Sequence, residues 1–156
     1  MKTVYVTNYS ELNAIWPFMR EGLGSLNATV DAEDFVSEIE FFMRHLDIVM
    51  ERVFGVIAIA HSDGGKPIGF ISAFDSSAEH KPPMALVYAA YAIPAQQLNG
   101  KTANCMKGLY ATVEGWARRN DFKQLKTYSG RTSGAAVRWF GTYGFKLSKL
   151  LLTKEL

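Results

Sequence analysis

The sequence predicts a mixed α/β domain, in which one sheet packs against several helices. Apolar runs that alternate or are rich in Val, Ile and Tyr are typical of strands, and longer stretches between them carry apolar residues at helical spacing. An Asp-Gly-Gly sequence beginning at Asp63 joins two apolar runs and indicates a hairpin turn. With 156 residues, 48% of them apolar, the chain can bury one core, and we expect a single domain over residues 1–156.

The N-terminal segment is predicted to form a short strand and a first helix. Residues 4–6 are flanked by threonines in an alternating pattern that indicates a strand. Ser10 is a suitable cap for the helix, and Pro17 inside it predicts a late start or a kink. The residues expected to end this helix are Gly22 and Gly24.

A second helix and a hairpin follow along the chain. Asp31 is expected to open the helix, because Glu33 and Asp34 then lie in its first turn, near the positive end of the helix dipole. The two arms of the hairpin are residues 54–60 and 67–74, on either side of the Asp-Gly-Gly turn.

The C-terminal half alternates strands with helices. Residues 84–93 form the longest β-like run, which Pro94 stops. The remaining predicted elements are a helix over 102–120, a strand over 124–128, a helix over 133–143 and a last strand over 145–153. The predicted order is therefore β-α-α-β-β-β-α-β-α-β, an α+β arrangement around a mixed sheet.

The most specific stretch joins the fourth strand to the long helix. A strand ends at Pro94, a turn containing Gly100 follows, and the helix begins near Thr102. Such a junction directs unpaired backbone N–H groups and the positive end of the helix dipole at one spot, which favours an anion. Lys101 adds a cation there. A plain strand-turn-helix junction is the alternative interpretation.

This stretch resembles the pyrophosphate-binding motif P-x-x-(Q/R)-x-x-G-x-(G/A) of the GCN5-related N-acetyltransferases. Pro94, Gln97 and Gly100 match the motif in register, whereas Thr102 stands at its last, small-residue position. Further along the chain, residues 133–145 are similar to the segment N-x-x-A-x-x-x-Y-x-x-x-G-F of the same family.

In this second motif some positions match and others depart. Ala136, Gly144 and Phe145 agree with the family, while Ser133 and Phe140 replace its Asn and Tyr. The order of predicted elements also resembles that of the family over nearly the whole chain. The chain is therefore identified as a divergent member of the GCN5-related family.

The resemblance implies an acetyl-CoA site and an amine acceptor. In the family the sheet splays between its fourth and fifth strands, and the pantetheine arm of acetyl-CoA lies in that splay. Acetyl-CoA would be the co-substrate, and a small-molecule or protein amine would receive the acetyl group directly. The residues that the resemblance assigns to acetyl-CoA are Ala92, Ile93, Gln97, Leu98, Asn99, Gly100, Lys101, Thr102, Ala103, Ser133 and Phe140.

Tyr88 is the candidate catalytic residue, because it stands where the resemblance places a glutamate base. A phenol with an ordinary pKa of about 10 is a poor base at neutral pH. Phe140 replaces the family's tyrosine acid and has no proton to give, and Tyr143 should point elsewhere around the helix. The backbone N–H of Ala92 or Ile93 remains as a donor to the oxyanion, because a main-chain donor does not depend on residue identity.

The charge of the chain is unevenly distributed. Its 17 basic and 15 acidic residues give +2, yet the net charge is −5 over residues 1–60, −1 over 61–94 and +8 over 95–156. The basic segment is the one that the resemblance places around polyanionic acetyl-CoA. The cations expected to attract its phosphates are Lys101, Lys107, Arg131 and Arg138. A solvated surface is the alternative for Arg118, Arg119, Lys123 and Lys126.

The sequence also excludes several classes of protein. Cys105 alone allows neither an internal disulfide nor a thiolate zinc site, and the three histidines lack ligand spacing, so no metal site is predicted. Cys105 is either a reactive thiol at a helix start or a small core residue. Without a signal peptide or an apolar run of ~18 residues, we expect a cytoplasmic protein with no membrane partner. The basic half contains no recognised nucleic-acid docking motif.

Two hypotheses for the function remain open at the level of the sequence. The first is an acetyl-CoA-dependent N-acetyltransferase. The second is a catalytically degenerate protein of the same fold, for example a phage-encoded virion component or an antagonist of a host factor. The departures at Tyr88, Phe140, Thr102 and Ser133 motivate it. Trp139 and the apolar residues 147–152 offer material for a homodimer contact.

Overall fold

Five strands in the described part of the chain form one mixed sheet. The computed structural model describes residues 1–26, 55–76, 83–94, 99, 101–127 and 134–146. Its elements are β1 (Lys2–Tyr5), α1 (Tyr9–Leu26), β2 (Gly55–His61), β3 (Pro67–Asp75), β4 (Met84–Ala92), α2 (Thr102–Arg119), β5 (Gln124–Thr127) and α3 (Gly134–Gly141). The strand order is β1-β2-β3-β4-β5, with β1 to β4 antiparallel and β5 parallel to β4. The prediction of a mixed α/β fold is confirmed.

The two faces of the sheet carry separate apolar clusters. Side chains alternate between faces along a strand, so Ile57 and Ile59 of β2 face one side while Val56 and Ala58 face the other. The isoleucine face packs against α1, and the opposite face packs against α2. Because both faces are covered, β2 and β3 are nearly continuous apolar runs rather than alternating ones.

The β2–β3 connection is the hairpin that the sequence predicts. The Ser62 N–H donates to the Lys66 carbonyl at 2.8 Å, and the Gly65 N–H donates to the Ser62 carbonyl at 3.0 Å. Gly65 has a φ of 78°, in the left-handed region that only glycine enters at no steric cost. The turn chemistry therefore fixes the register of the two strands.

The start of α1 differs from the prediction, which placed the cap at Ser10. The side-chain Oδ1 of Asn8 accepts a 2.9 Å hydrogen bond from the Glu11 N–H, so Asn8 caps the helix. The Glu11 carboxylate accepts a hydrogen bond from the Thr7 N–H at 2.8 Å, which secures the chain before the cap. The helix begins at Tyr9 and contains Pro17, so the expected late start is wrong.

The end of α1 was also predicted wrongly, because Gly22 and Gly24 lie inside the helix rather than after it. A Cβ on Gly22 would lie 2.6 Å from the Tyr91 ring and 2.7 Å from the Phe70 ring. The glycine at position 22 is therefore needed for the close approach of α1 to the sheet, not for termination. Intimate packing overrides the usual helix-ending role of this residue.

Other predicted boundaries differ from the observed ones by one or two residues. The helix predicted over 133–143 is shorter, because Thr142 to Gly144 form a turn in which Gly144 has a φ of 82°. The predicted second helix that begins at Asp31 lies outside the described residues, as does the predicted last strand beyond residue 146. Among the residues described, no helix has the length and apolar character needed to cross a membrane.

Candidate functional site

In the described residues, β5 pairs with the first half of β4. Four consecutive pairs join the two strands, from Met84 opposite Gln124 to Val87 opposite Thr127. β4 then continues to Ala92 while its pairing with β3 is maintained. We call the Val87–Thr127 pair the apex, and the side of β4 that faces away from β3 its outer edge. The outer edge therefore extends five residues beyond the described end of β5.

A β-bulge lies immediately after the apex. Ser72 is opposite Ala89 and Ala73 is opposite Val87, so Tyr88 is an extra residue in β4. Bulges change the direction of the strand and re-aim side chains. The Tyr88 ring is half-buried on the α1 face, with its centroid 6.5 Å from that of Phe74. The candidate catalytic residue thus lies at the bulge, on the face opposite α2.

Alternate residues of β4 turn their backbone N–H and carbonyl groups toward the outer edge. The Ile93 N–H donates to the Ile68 carbonyl at 3.0 Å, so its amide faces β3. Because antiparallel pairs alternate between bonded and non-bonded, Ala92 and Ala90 turn their N–H and carbonyl groups to the outer edge. Of the two amides considered as oxyanion donors, only that of Ala92 faces this way.

Ala90 is a backbone position that the sequence did not single out. It lies closer to the bulge than Ala92 does, and its N–H has the same direction. An alanine within a β-like run carries no chemical signal of its own, and the bulge that sets its direction has no glycine to mark it. Only the observed register reveals its orientation.

The start of α2 is fastened to the end of β4. The Thr102 Oγ1 donates to the Ile93 carbonyl at 2.9 Å, and Lys101 immediately precedes the helix with an exposed side chain. Asn99 has a φ of 50°, a left-handed conformation that asparagine tolerates better than most residues. The other residues assigned to this site, Gln97, Leu98, Gly100 and Ser133, lie outside the described residues, as does the side chain of Ala103.

Close packing also holds α2 against the sheet. A Cβ on Gly69, the residue opposite Ala92, would lie 2.7 Å from the Cys105 Sγ. Cys105 is fully buried, and burial raises the pKa of its thiol to about 11. A thiol with that pKa is protonated at neutral pH, so the reactive-cysteine interpretation is wrong and Cys105 is a core residue.

Charged groups near the start of α2 include an acidic one. The Asp63 carboxylate pairs with the Met1 amino group, and this hydrogen bond and charge, together with the more distant charge of Lys101, lower the pKa of Asp63. The β2–β3 turn therefore lies near Lys101. The Met1 ammonium therefore offsets the Asp63 carboxylate in the neighbourhood of Lys101.

Two basic residues at the other end of α2 have partners on the surface. Arg118 donates to the Glu114 carboxylate at 2.6 Å, and Arg119 donates to the Tyr5 hydroxyl at 2.5 Å. These contacts are far along the helix from Lys101. They support the solvated-surface interpretation for Arg118 and Arg119.

Phe140 belongs to an aromatic cluster around Tyr110 of α2. Four ring centroids lie between 5.5 and 6.3 Å from that of Tyr110, and they belong to Trp139, Phe140, Tyr143 and Phe145. Tyr143 lies in the turn that follows α3, and its ring stacks on that of Tyr110 with the centroids 5.5 Å apart. Trp139, which the sequence offers for a contact between copies, is half-buried and packs against Tyr110 with the ring centroids 6.3 Å apart.

The cluster brings a phenol to the apex. The Tyr110 hydroxyl lies 3.4 Å from the Thr127 Oγ1, and Thr127 is the apex residue of β5. Burial raises the pKa of Tyr110. The sequence identified Tyr110 only as part of the buried stripe of the long helix. No His, Cys, Asp or Glu grouping suited to a metal ion occurs in the part of the chain that the structure describes.

Several solved structures that share this architecture are described as acetyltransferases. A Pyrococcus furiosus protein assigned as an acetyl transferase superposes with a TM-score of 0.70 at 14% identity, covering 99% of this chain and 100% of its own. The aminoglycoside 6'-N-acetyltransferase AAC(6')-Ih from Acinetobacter baumannii gives a TM-score of 0.65 at 14% identity, over 99% and 98%. This chain has the fold of the GCN5-related N-acetyltransferases. The fold that the two sequence motifs predicted is thus confirmed.

Ligand complexes are known for neighbours with this acetyltransferase fold. AAC(6')-Iy bound to the bisubstrate analogue CoA-S-monomethyl-acetylneamine has a TM-score of 0.67 at 14% identity, over 99% of this chain and 97% of its own. The same enzyme has also been solved with CoA. No family model matches the sequence, and a sequence search finds no matching curated protein.

Proposed function

We propose that this protein is an N-acetyltransferase that moves an acetyl group from acetyl-CoA directly to an amine. The observation that carries the proposal is the course of β4, which continues past the Val87–Thr127 pair to Ala92, paired with β3, and leads into α2. An extended arm can then lie along the outer edge of β4, with its phosphates at the start of the helix.

The described groups suit the two ends of acetyl-CoA. Ala90 and Ala92 offer backbone N–H and carbonyl groups to the amides of the pantetheine arm, as a neighbouring strand would. Lys101 and the first N–H groups of α2 offer charge and donors to the pyrophosphate. From Ala92 back to Tyr88 the strand covers roughly 13 Å. An arm held at the start of α2 therefore runs toward the bulge.

The transfer needs positioning and a donor to the oxyanion. The amine nitrogen attacks the thioester carbonyl carbon, the new C–N bond forms, and the C–S bond breaks with its electron pair on sulfur. A backbone N–H on the outer edge, from Ala90 or Ala92, stabilises the oxyanion that develops on the carbonyl. Bringing the two reactants together in this geometry supplies much of the rate. An acceptor that binds as an ammonium gives one proton to water before the attack, and its nitrogen gives a second proton to water as the amide forms. Tyr88 is the catalytic residue that contacts this nitrogen.

The acceptor would approach from the α1 face of the bulge. Aromatic rings line that face: the centroids of Phe18 and Tyr91 are 5.9 Å apart, and Tyr88 lies against Phe74. Aromatic faces attract ammonium groups, so this wall suits a protonated amine. The neighbour bound to an acetylneamine conjugate acts on such a substrate class, and aminoglycosides belong in any panel of trial acceptors.

A thiol-release assay tests the proposal. Acetyl-CoA is mixed with the protein and separately with an aminoglycoside, a polyamine, an arylalkylamine and a lysine-containing peptide, and free CoA thiol is followed. We expect release above the amine-free rate with at least one class, and the acetylated amine in the product by mass spectrometry. Release equal to the amine-free rate with every acceptor, in a protein that does bind acetyl-CoA, would contradict catalysis.

That last outcome would favour the catalytically degenerate alternative. The observation behind it is the pair of substituted positions, Tyr88 at the bulge and Phe140 inside the aromatic cluster. A protein of this kind would retain the outer edge and the α2 junction as a binding surface only. Acetyl-CoA bound without turnover in the presence of all four acceptors is the result that it predicts.

A further inference from the structure

The leaving thiolate needs a hydrogen-bond donor, and Phe140 has none. Transfer of the acetyl group leaves negative charge on the CoA sulfur, which a nearby O–H or N–H stabilises. The Phe140 ring instead packs edge-on against Tyr110, with the ring centroids 6.2 Å apart. If acetyl-CoA lies as proposed above, its thioester is near the bulge, so the donor should be near the apex. This inference rests on the proposed function.

Two hydroxyl groups meet at the apex on the α2 face. Thr127 is the last described residue of β5 and lies opposite Val87 of β4, and paired strands lie about 4.8 Å apart. Its Oγ1 lies 3.4 Å from the Tyr110 hydroxyl. Tyr88, the bulge residue, immediately follows Val87 along β4. The hydroxyl pair is thus one strand spacing from the point to which the arm would run.

The Tyr110 hydroxyl is held in a fixed place. Tyr110 is 5% exposed and its ring contacts four aromatic side chains from α3 and the segment after it. Thr127 is only half-buried, so it is the more exposed residue of the two. When Tyr110 donates to the Thr127 oxygen, the proton of Thr127 must point to another acceptor. A rigid phenol thereby sets the direction of the hydroxyl of a more exposed residue.

We propose that the Thr127 hydroxyl, oriented by Tyr110, donates the hydrogen bond that stabilises the leaving sulfur of acetyl-CoA. Thr127 is then a catalytic residue, because it touches the reacting atom, and Tyr110 is a positioning residue. No net proton transfer from either hydroxyl is required. The C–S bond breaks, its electron pair stays on sulfur, and the proton lost by the amine reaches the thiolate through water. Burial keeps Tyr110 protonated, and therefore able to donate, at neutral pH.

Steady-state kinetics of three variants test this assignment with the most active amine from the acceptor panel. Thr127→Val keeps the β-branched shape and removes the donor, and we expect kcat to fall about 10- to 100-fold with the KM for acetyl-CoA within about twofold. Thr127→Ser keeps the hydroxyl and should retain kcat within about threefold. Tyr110→Phe should lower kcat by several fold, because Thr127 is present but no longer oriented.

The outcomes separate this inference from the proposed function. If the wild-type protein releases no thiol with any amine, the proposed function fails first. If the wild type is active and Thr127→Val keeps its kcat, or Thr127→Ser falls as far as Thr127→Val, the donor assignment alone is overturned. Tyr143→Phe serves as the rival variant, since its ring stacks on Tyr110. A loss in Tyr143→Phe without one in Thr127→Val would also overturn the assignment.

Discussion

The Thr102 hydroxyl donates a 2.9 Å hydrogen bond to the carbonyl oxygen of Ile93 and so ties the first residue of α2 to the end of β4. Ile93 also donates its N–H to the Ile68 carbonyl, so both backbone groups of Ile93 are engaged. The threonine that departs from the family's small-residue position therefore has a structural role. It holds together the two elements between which the phosphates of acetyl-CoA would bind.

Removal of this hydroxyl is expected to loosen the junction. Thr102→Val preserves the side-chain shape but leaves the Ile93 carbonyl without its donor, which should cost about 1 kcal/mol of folding free energy. The dissociation constant for acetyl-CoA should rise several fold, because the start of α2 is less well placed. Urea unfolding and calorimetry measure the two effects. Thr102→Ser, which keeps the donor, should behave like the wild type, and equal behaviour of both variants would contradict this role.

The contact between Gly69 and Cys105 makes a second prediction. In Gly69→Ala the new Cβ would lie 2.7 Å from the Cys105 Sγ and 2.8 Å from the Tyr91 carbonyl oxygen, and the latter cannot move without shifting β4. Overpacking of this kind should lower the free energy of unfolding by about 1–3 kcal/mol.

Gly64→Ala provides the matched control in the neighbouring turn. The nearest atom to its added Cβ is the Ser62 Oγ at 3.8 Å, an ordinary contact. Chemical denaturation should show a change within about 0.5 kcal/mol for this variant. The account of α2 packing fails if Gly69→Ala is as stable as Gly64→Ala.

Burial of Cys105 predicts a pH dependence of stability. Its pKa rises from an ordinary 9.0 to about 11 on folding, so the folded state favours the protonated thiol. The contribution of this thiol to the free energy of unfolding is fully present below pH 9. It is lost as the pH rises from 9 to about 11, because in this range the thiol ionises in the unfolded chain but not in the folded one. Urea unfolding between pH 8 and 10 should show this slope, and the slope should be smaller in Cys105→Ala, in which the buried Tyr110 still contributes near pH 10.

A direct chemical readout accompanies that titration. The folded protein should react with a disulfide reagent at pH 8 far more slowly than the urea-unfolded chain does, because a fully buried thiol is neither accessible nor ionised. Equal reaction rates for the folded and unfolded protein would show that Cys105 is not the core residue described above.

The sequence predicted the fold well because its signals are local and redundant. The Asp-Gly-Gly turn sets one hairpin, and apolar periodicity separates strands from helices, so the order of the described elements agrees with expectation. The failures arose where tertiary packing reverses a local preference. Glycine is common at helix ends, yet Gly22 lies inside α1. It is needed there because the rings of Tyr91 and Phe70 occupy the space that a side chain would take. Asn8 and Ser10 are both good caps, and only the geometry selects Asn8.

The candidate site was predictable only in part. The motif around Lys101 and Thr102 predicted the strand-to-helix junction, because a strand that ends at Pro94 and a helix that begins near Thr102 leave a pattern in the sequence. The bulge at Tyr88 and the direction of the Ala90 amide depend on the register between β3 and β4, which no single residue encodes. Tyr110 and Thr127 are 17 positions apart in the sequence, and their hydroxyl groups come together only because α2 packs on the sheet that includes β5. A buried helical tyrosine has the same sequence pattern as any core residue.

Binding of acetyl-CoA at the junction of β4 and α2 is the central claim, and titration calorimetry tests it most directly. Acetyl-CoA is titrated into the wild type, Lys101→Ala and Arg118→Ala, the last removing a cation whose charge is paired with Glu114. We predict a submillimolar dissociation constant for the wild type and for Arg118→Ala, and one several fold weaker for Lys101→Ala, with the difference shrinking as salt is raised. The absence of heat from the wild type at millimolar acetyl-CoA would contradict the claim.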